Sequence, residues 1–315
     1  MPKPEFTFRY RVRNWPEYNR ALVGRGRLTL WFDETAIAGW RANDQSAAPG
    51  RPRVYADTTI ECALTLKAVF HLSLRATQGF LESVLALLRL ELPVPDYSTL
   101  SRRQPLLAVT LRFPTSETPR LIVVDSTGMK VYGAGEWHAG KYRRGRRRTW
   151  RKLHLGVDET TKEFVAVEVT TSCVHDSTRL PTLLCQVTDD IVQVSADRGY
   201  DAHACYESIV RRGAVPTILP RKNARLGSGL DPPAWRTARD ENLREIQAQG
   251  HYGWRLSTGC TRRSLAENAV SRFKTLFGGR LWARTLESQQ IEAFVKCAAL
   301  NRMTGLGMPA SVRVL

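Results

Sequence analysis

Apolar positions recur at helical spacing near both ends of the chain and at strand spacing between them. From Tyr55 to Leu92 the repeat predicts two helices joined by a short turn at His71-Leu72-Ser73. Ile60, Leu64, Leu66, Val69 and Phe70 form the first stripe, and Leu81, Val84, Leu85 and Leu88 the second. Pro93 to Pro95 break the pattern. Asp96 then stands where an N-cap would open a short polar helix, STLSRRQ, carrying Arg102 and Arg103. Upstream, LTLWFDETAIAGW fits a strand and turn or a short helix, and the QSAAPGRPR that follows it reads as a loop.

Beyond Pro105 to Pro119 strands take over. RLIVVDSTGMKVYG is a near-continuous apolar run ending in polar residues, the pattern of a central strand, and it carries Asp125. WRKLHLGVD and EFVAVEVTT, joined by ETTK, predict two further strands of an antiparallel meander. Next come a helix from about Thr178 to Val187, a fourth strand closing on Asp197 and Gly199, a helix (AHACYESIVRRG) ended by Gly213, and a fifth strand, AVPTILP. This order predicts an α/β fold: a mixed five-stranded sheet with flanking helices, preceded by an all-helical module. The expected division lies near residue 110, giving regions 1–110 and 111–315. Residues 221–262, rich in Arg, Asn and Gly, stand as an insertion with one helix around Ala238 to Gln249, fitting a lid, a DNA-contacting arm or a loop. The late ESQQIEAFVKCAALNRM predicts an amphipathic helix packed on the core.

One more helical stretch, RSLAENAVSRFKTLF from Arg263 to Phe277, separates two chemically opposite faces. Leu265, Ala269, Phe273 and Leu276 fall on one stripe, and Arg263, Glu267, Ser271 and Lys274 on another. By itself such a helix fits a surface helix with solvated i,i+4 charge pairs as well as a functional one.

Charge changes the picture. Lys and Arg outnumber Asp and Glu by 47 to 30, a formal net charge of +17 that attracts polyanions, nucleic acid first among them. No apolar run approaches the roughly 18 residues of a membrane span, and the basic start lacks the apolar core and cleavage site of a secretory signal, so a cytoplasmic protein without a membrane is expected. The six cysteines are scattered without a CxxC pair, which argues against structural zinc and fits a reducing compartment. Lys141 to Lys152, KYRRGRRRTWRK, has eight basic residues in twelve; Arg143, Arg144, Arg146, Arg147, Arg148, Arg151 and Lys152 are candidate contacts to a DNA backbone. Trp137 and His138 beside it fit base stacking or loop anchoring. In the N-terminal region the helix order fits a helix-turn-helix module, with Arg102 and Arg103 facing DNA, or an ordinary three-helix bundle.

Three acids carry the candidate chemistry: Asp125 on the first strand, Asp197 at the end of the fourth, and Glu267 on the late helix. If the two strands are neighbours and the helix crosses beside them, the carboxylates meet. Clustered carboxylates repel unless cations lie between them, and hard oxygen ligands suit Mg²⁺ or Mn²⁺. Two such ions would support in-line displacement at phosphorus, with Arg263 and Lys274 orienting the phosphodiester. Asp158, Asp176 and Asp201 are rival ligands, although Asp201 better fits a helix N-cap. His154, alternating with Leu153 and Leu155, better fits a satisfied sheet histidine.

VDSTGMKVYGAGEWH, WRKLHLGVD, SADRGYDA and RSLAENAVSRFK, taken in order, resemble a bacterial insertion-sequence transposase of the DDE class, in the IS-five family. The Asn14-Trp15-Pro16 start, LTLWFDETAIAGW, LSLRATQGF and PDYSTLSRR are similar to that family's N-terminal part, so the resemblance spans nearly the whole chain. The family signature is Tyr, two residues, Arg, three residues, Glu, six residues, Lys. Arg263, Glu267 and Lys274 match it, whereas Cys260 stands at the Tyr position. The resemblance implies an RNase H-like catalytic domain and a nucleoid-associated protein acting on double-stranded DNA. It also implies binding of terminal inverted repeats and target DNA, a homo-oligomer (a dimer) pairing two ends, and cut-and-paste or related strand transfer with two Mg²⁺ ions. Cys260 leaves a second reading open: a catalytically inactive, sequence-specific DNA-binding protein or regulator of transposition.

Overall fold

The helical spacing between residues 55 and 103 becomes three helices, α3 (Asp57–Val69), α4 (Leu74–Leu87) and α5 (Tyr97–Arg103). The computed structural model describes residues 9–32, 34–42, 53–109, 111, 113, 118–132, 150–227 and 231–314. Ser73 caps α4 by accepting from the Ala76 amide. Asp96 caps α5 by accepting from the amides of Ser98 and Thr99, and those bonds, with the hydroxyls of both residues, hold its carboxyl well below the usual range. Ile60, Leu64, Leu66, Leu81, Val84 and Leu85 are buried as the stripes predict, but Leu88 and Phe70 lie at the surface, each at a helix end where the apolar stripe runs past the core. Ahead of these helices, α1 (Trp15–Gly24) follows Asn14, and LTLWFDETAIAGW forms a 3₁₀ turn and a short helix, α2 (Glu34–Ala38), driving Trp31 and Trp40 into the core.

The N-terminal region is not all helical. β1 (Arg9–Val12) pairs antiparallel with β8 (Ser311–Val314), a two-stranded ribbon between elements about 300 residues apart. Among the described residues the N-terminal helices have no apolar cluster of their own. Trp31, Trp40, Ile60, Leu66, Leu81 and Leu100 share one cluster with Leu153, Leu155, Val167 and Phe273 of the region beyond residue 110.

The main sheet has six strands rather than five. β2 (Arg120–Val131), β3 (Trp150–Asp158) and β4 (Phe164–Thr171) form the predicted antiparallel meander; β5 (Ile191–Ala196) and β6 (Val215–Ile218) run parallel to β2 on its other side, in the order β4-β3-β2-β5-β6. The sixth, β7 (Arg280–Leu281), is only two residues long and pairs with the far end of β2. One face packs on α6 (Leu180–Cys185) and α7 (His203–Arg211), through Ile122, Val124, Leu180, Leu183, Cys205 and Tyr206. The other face packs on α9 (Ser264–Phe277) and α10 (Leu286–Gly305).

α10, expected to be amphipathic, is buried on most of its circumference, Glu292 and Lys296 included, because α3, α9 and β4 enclose it. The segment 221–262 is largely a helix, α8 (Ala234–Ser257), bent at Gly250, where φ is 74°. It docks on α7 and β6. Asn242 Nδ2 donates to the Pro216 carbonyl at 2.7 Å, and Arg239 Nε to Asp201 Oδ1 at 2.9 Å. Asp201 therefore anchors this segment instead of capping α7, whose N-cap is Ala202. All six cysteines are free thiols, and among the described residues no helix is long and apolar enough to cross a membrane.

At the head of β2 the Arg120 guanidinium, 1% exposed, meets Asp158 and Asp189, each at 2.6 Å. Removing the cation strands two carboxylates, one of them fully buried. Arg120→Met is expected to destabilise the protein by about 3–5 kcal/mol, read as a lowered urea midpoint with an unchanged denaturant slope.

Candidate active site

The ladder between β2 and β5 decides where the acids meet. Ile122 lies beside Val194 and Val123 beside Ser195 in parallel register, so two residues further on Asp197 comes level with Asp125. Asp197 follows the last residue of β5 and opens a 3₁₀ turn, its Oδ1 accepting from the Gly199 amide at 2.8 Å. A Cβ on Gly199 would stand 2.9 Å from that oxygen, so the turn around this acid has no room for a side chain there.

α9 lies on the same face. Side chains alternate along β2, and Met129, two pleats from Asp125, joins Ala269, Phe273 and Phe277 of α9 in one apolar cluster. The buried line of the helix is Ala266, Ala269, Phe273 and Phe277; Leu265 and Leu276 are half-buried flanks of it, a small rotation from the expected stripe. Burying Phe273 and Phe277 contributes roughly 1.5–3 kcal/mol each and fixes the helix against the sheet. The polar face is then held at two points. Lys274 Nζ donates to Thr127 Oγ1 at 2.6 Å, and Arg263 Nη2 lies 3.3 Å from Glu267 Oε1.

The three acids share one electrostatic field. Burial pushes the Asp125 carboxyl up, and Asp197 and Glu267 push it further; the Ser126 amide and the Arg263 guanidinium oppose them. They do not form a closed ligand cluster: among the described residues no three His, Cys, Asp or Glu side chains are grouped closely enough to hold an ion. Glu267 is 59% exposed and turned to Arg263.

The rival acids are occupied elsewhere. Asp158 holds Arg120 and accepts from the amides of Thr160 and Thr161, Asp201 holds Arg239 and the Arg221 amide, and Asp176 takes Lys152 Nζ at 3.1 Å. Several expected cations are likewise engaged within the fold. Arg151 Nε donates to Gln289 Oε1, Lys152 Nζ to the Val174 carbonyl, and Arg103 to the Tyr55 carbonyl and to Asp57. Arg102 stays exposed, and Arg143, Arg144, Arg146, Arg147 and Arg148, with Trp137 and His138, lie outside the described residues. Cys260 is buried against Leu219 and Trp254, and burial raises its thiol. Tyr252, a possible substitute for the signature Tyr, is 73% exposed, while Trp254 is fully buried.

Two residues that sequence reasoning missed belong to this neighbourhood. Thr127 receives Lys274. Tyr200, 1% exposed and without a hydrogen bond on its hydroxyl, feels Asp176, Asp125 and Asp197, and burial above all keeps its phenol protonated. The signal for Thr127 was its position two residues after Asp125, hence on the same face; that for Tyr200 was its place in SADRGYDA.

One acid thus lies on β2, one just past the end of its parallel neighbour and one on the helix that crosses the same face. Two family models, each described as a transposase DDE domain, match the chain, one over residues 23–134 and the other over residues 116–302. The chain belongs to the DDE transposase domain family, whose members are metal-dependent DNA-cutting enzymes.

Behind the acids, His154 is fully buried, its Nε2 2.8 Å from Thr170 Oγ1, and its pKa is lowered to about 4, first by burial. The folded state thus binds this proton more weakly than the unfolded chain. Stability is expected to rise with pH across the window from about 4 to the unperturbed histidine value of about 6.5. Urea midpoints of wild type should fall between pH 7 and pH 5 by more than those of His154→Asn; equal falls would show that His154 is not the titrating group.

Proposed function

We propose that this chain is the DNA transposase of an insertion sequence, binding terminal inverted repeats and catalysing Mg²⁺-dependent DNA cleavage and strand transfer. The observation that supports the reading is the parallel register that ends at Val123 beside Ser195, two residues before Asp125 and Asp197, with Glu267 on the helix across the same face.

The donor set fits divalent magnesium, with manganese as a substitute, because all three candidate ligands are hard carboxylate oxygens. After burial, Asp197 and Glu267 each push the Asp125 carboxyl up, an effect of neighbouring negative charge that a bound cation would offset. Asp125 and Asp197 would hold the ions, and Glu267 completes the set by leaving Arg263. An exposed i,i+4 pair of this kind is worth only about 0.3–0.5 kcal/mol, so the exchange costs little. The chemistry two ions supply when bound is activation of the attacking oxygen and stabilisation of the leaving one at phosphorus. Lys274, fixed by Thr127, presents a positive charge to the phosphodiester, and Arg263, once released by Glu267, presents a second. Water as attacker cuts the strand; a 3′-hydroxyl as attacker joins it.

In this reading the N-terminal region recognises the inverted repeats, with Arg102 on the exposed side of α5, and the basic segment 141–152 follows the DNA backbone through its arginines. A homodimer pairs two ends and engages target DNA. Cys260 favours a second reading: its thiol is buried against Leu219 and Trp254, so nothing replaces a tyrosyl hydroxyl at that signature position, as in a DNA-binding regulator that has lost catalysis.

Replacing Asp125, Asp197 or Glu267 by Ala is expected to abolish Mg²⁺-dependent nicking of a labelled terminal repeat while gel-shift affinity stays at the wild-type level. Cleavage at wild-type rate by any of the three refutes its role. A wild-type protein that shifts the repeat yet never nicks it, in Mg²⁺ or Mn²⁺, selects the regulator. Joining of a pre-nicked end to target DNA separates a transposase from a nuclease that only hydrolyses.

A further inference from the structure

The far end of β2 carries a group of side chains that the acid site does not use. Beyond the acids, β2 is flanked by β3 on one side and β7 on the other: Lys130 lies level with Trp150 of β3 and with Arg280 of β7. Val131 pairs with Leu281, which is buried in the core on the α9 side, so Tyr132 and Trp282, one residue on in each strand, turn to the opposite face together with Lys130 and Arg280. There the rings of Tyr132 and Trp282 meet, centroids 4.8 Å apart and planes 32° apart. Trp150 lies across Gly128, where a Cβ would come within 3.2 Å of its ring, and Lys130 Nζ stands 5.9 Å from the centroid of that ring.

Tyr132 is 51% exposed, Trp282 48% and Trp150 38%. Among the described residues, three large aromatic side chains thus stand half in water at this end of β2, with Lys130 level with Trp150. Its backbone is held in place. Glu292 on α10, buried and paired with Lys296 at 2.6 Å, accepts from the amides of Trp282 and Ala283 at 2.9 and 2.8 Å, and Lys296 Nζ donates to the Arg280 carbonyl at 3.0 Å. A buried ion pair thus fixes a segment whose side chains point outward, which is preorganisation without an internal purpose.

We propose that Tyr132, Trp282 and Trp150, with Lys130 and Arg280, form a stacking platform for unpaired nucleotides of DNA. The inference rests on the transposase reading and adds a substrate form to it: DNA with unpaired bases, received on the sheet face opposite the acids. Flat rings suit the π-face of any base, the cations suit the phosphates on either side, and a chain of net charge +17 already draws nucleic acid. Duplex DNA, whose internal bases are stacked on one another, offers the rings only the faces of its end pairs.

The test uses the full chain in EDTA, so that binding is read without cleavage. Fluorescence anisotropy is measured for a labelled oligothymidylate and for a labelled blunt duplex of equal length. Tyr132→Ala/Trp282→Ala is expected to weaken oligothymidylate binding by about tenfold or more and to leave duplex binding unchanged. Trp282→Phe, which keeps a ring, should retain most of the single-strand affinity, and an unchanged melting temperature in both variants shows that folding is intact. Wild-type single-strand affinity in the double variant, or an equal loss on both probes, overturns the platform. In that event a wild-type protein that still cleaves its terminal repeat leaves the transposase reading standing, whereas a wild type that binds neither probe removes both.

Discussion

A parallel ladder only a few residues long, β2 against β5, sets the geometry on which the candidate chemistry depends. Past the register shift between Arg120 and Leu121 the two strands stay in step, Ile122 beside Val194 and Val123 beside Ser195, which carries the residue two beyond Ser195 toward the residue two beyond Val123. Those residues are Asp197 and Asp125. Nothing in either acid brings them together; the apolar residues that precede them do, Ile122 and Val124 on one strand and Ile191 and Val194 on the other, by packing against α6 and α7. Arg120 holds the start of β2 to the stretch that leads into β5 through Asp189, just where a register slip would begin.

α9 completes the arrangement by the same economy. Its apolar line of Ala266, Ala269, Phe273 and Phe277 fixes its rotation, and its rotation aims Glu267 and Lys274. Lys274 is already seated on Thr127, whereas Glu267 sits at the exposed N-terminal turn with Arg263. The polar face of α9 is thus tied to the sheet at Lys274 and exposed at Glu267.

Much of this was legible along the chain because it rests on local pattern. The stripes at Ile60, Leu64 and Leu66 and at Leu81, Val84 and Leu85, the cap at Asp96, and the three strands of the meander follow from short-range periodicity and turn chemistry. What was illegible depends on partners distant in sequence. β1 and β8 are four residues each and meet across nearly the full chain length, and β7 is a strand only because the end of β2 is there to pair with it. Arg103, Arg151 and Lys152 read as surface cations, yet Asp57, Gln289 and Asp176 are brought within reach by the fold. The helix carrying Glu292 and Lys296 was expected to be amphipathic, yet both side chains are inside, satisfied by each other and by the backbone of residues 280–283. The acids were named from residue type, element and order.

The apolar cluster running from Trp31, Trp40 and Ile60 through α10 to Leu153 and Phe273 has an evolutionary consequence. A region with its own core can be traded between lineages by recombination and still fold. Here the N-terminal helices and the sheet bury each other's surface, so an exchanged N-terminal half would have to match α10 and β4 side chain by side chain. Change in these helices is then tolerated at their solvent-facing positions, not by exchange of the whole region.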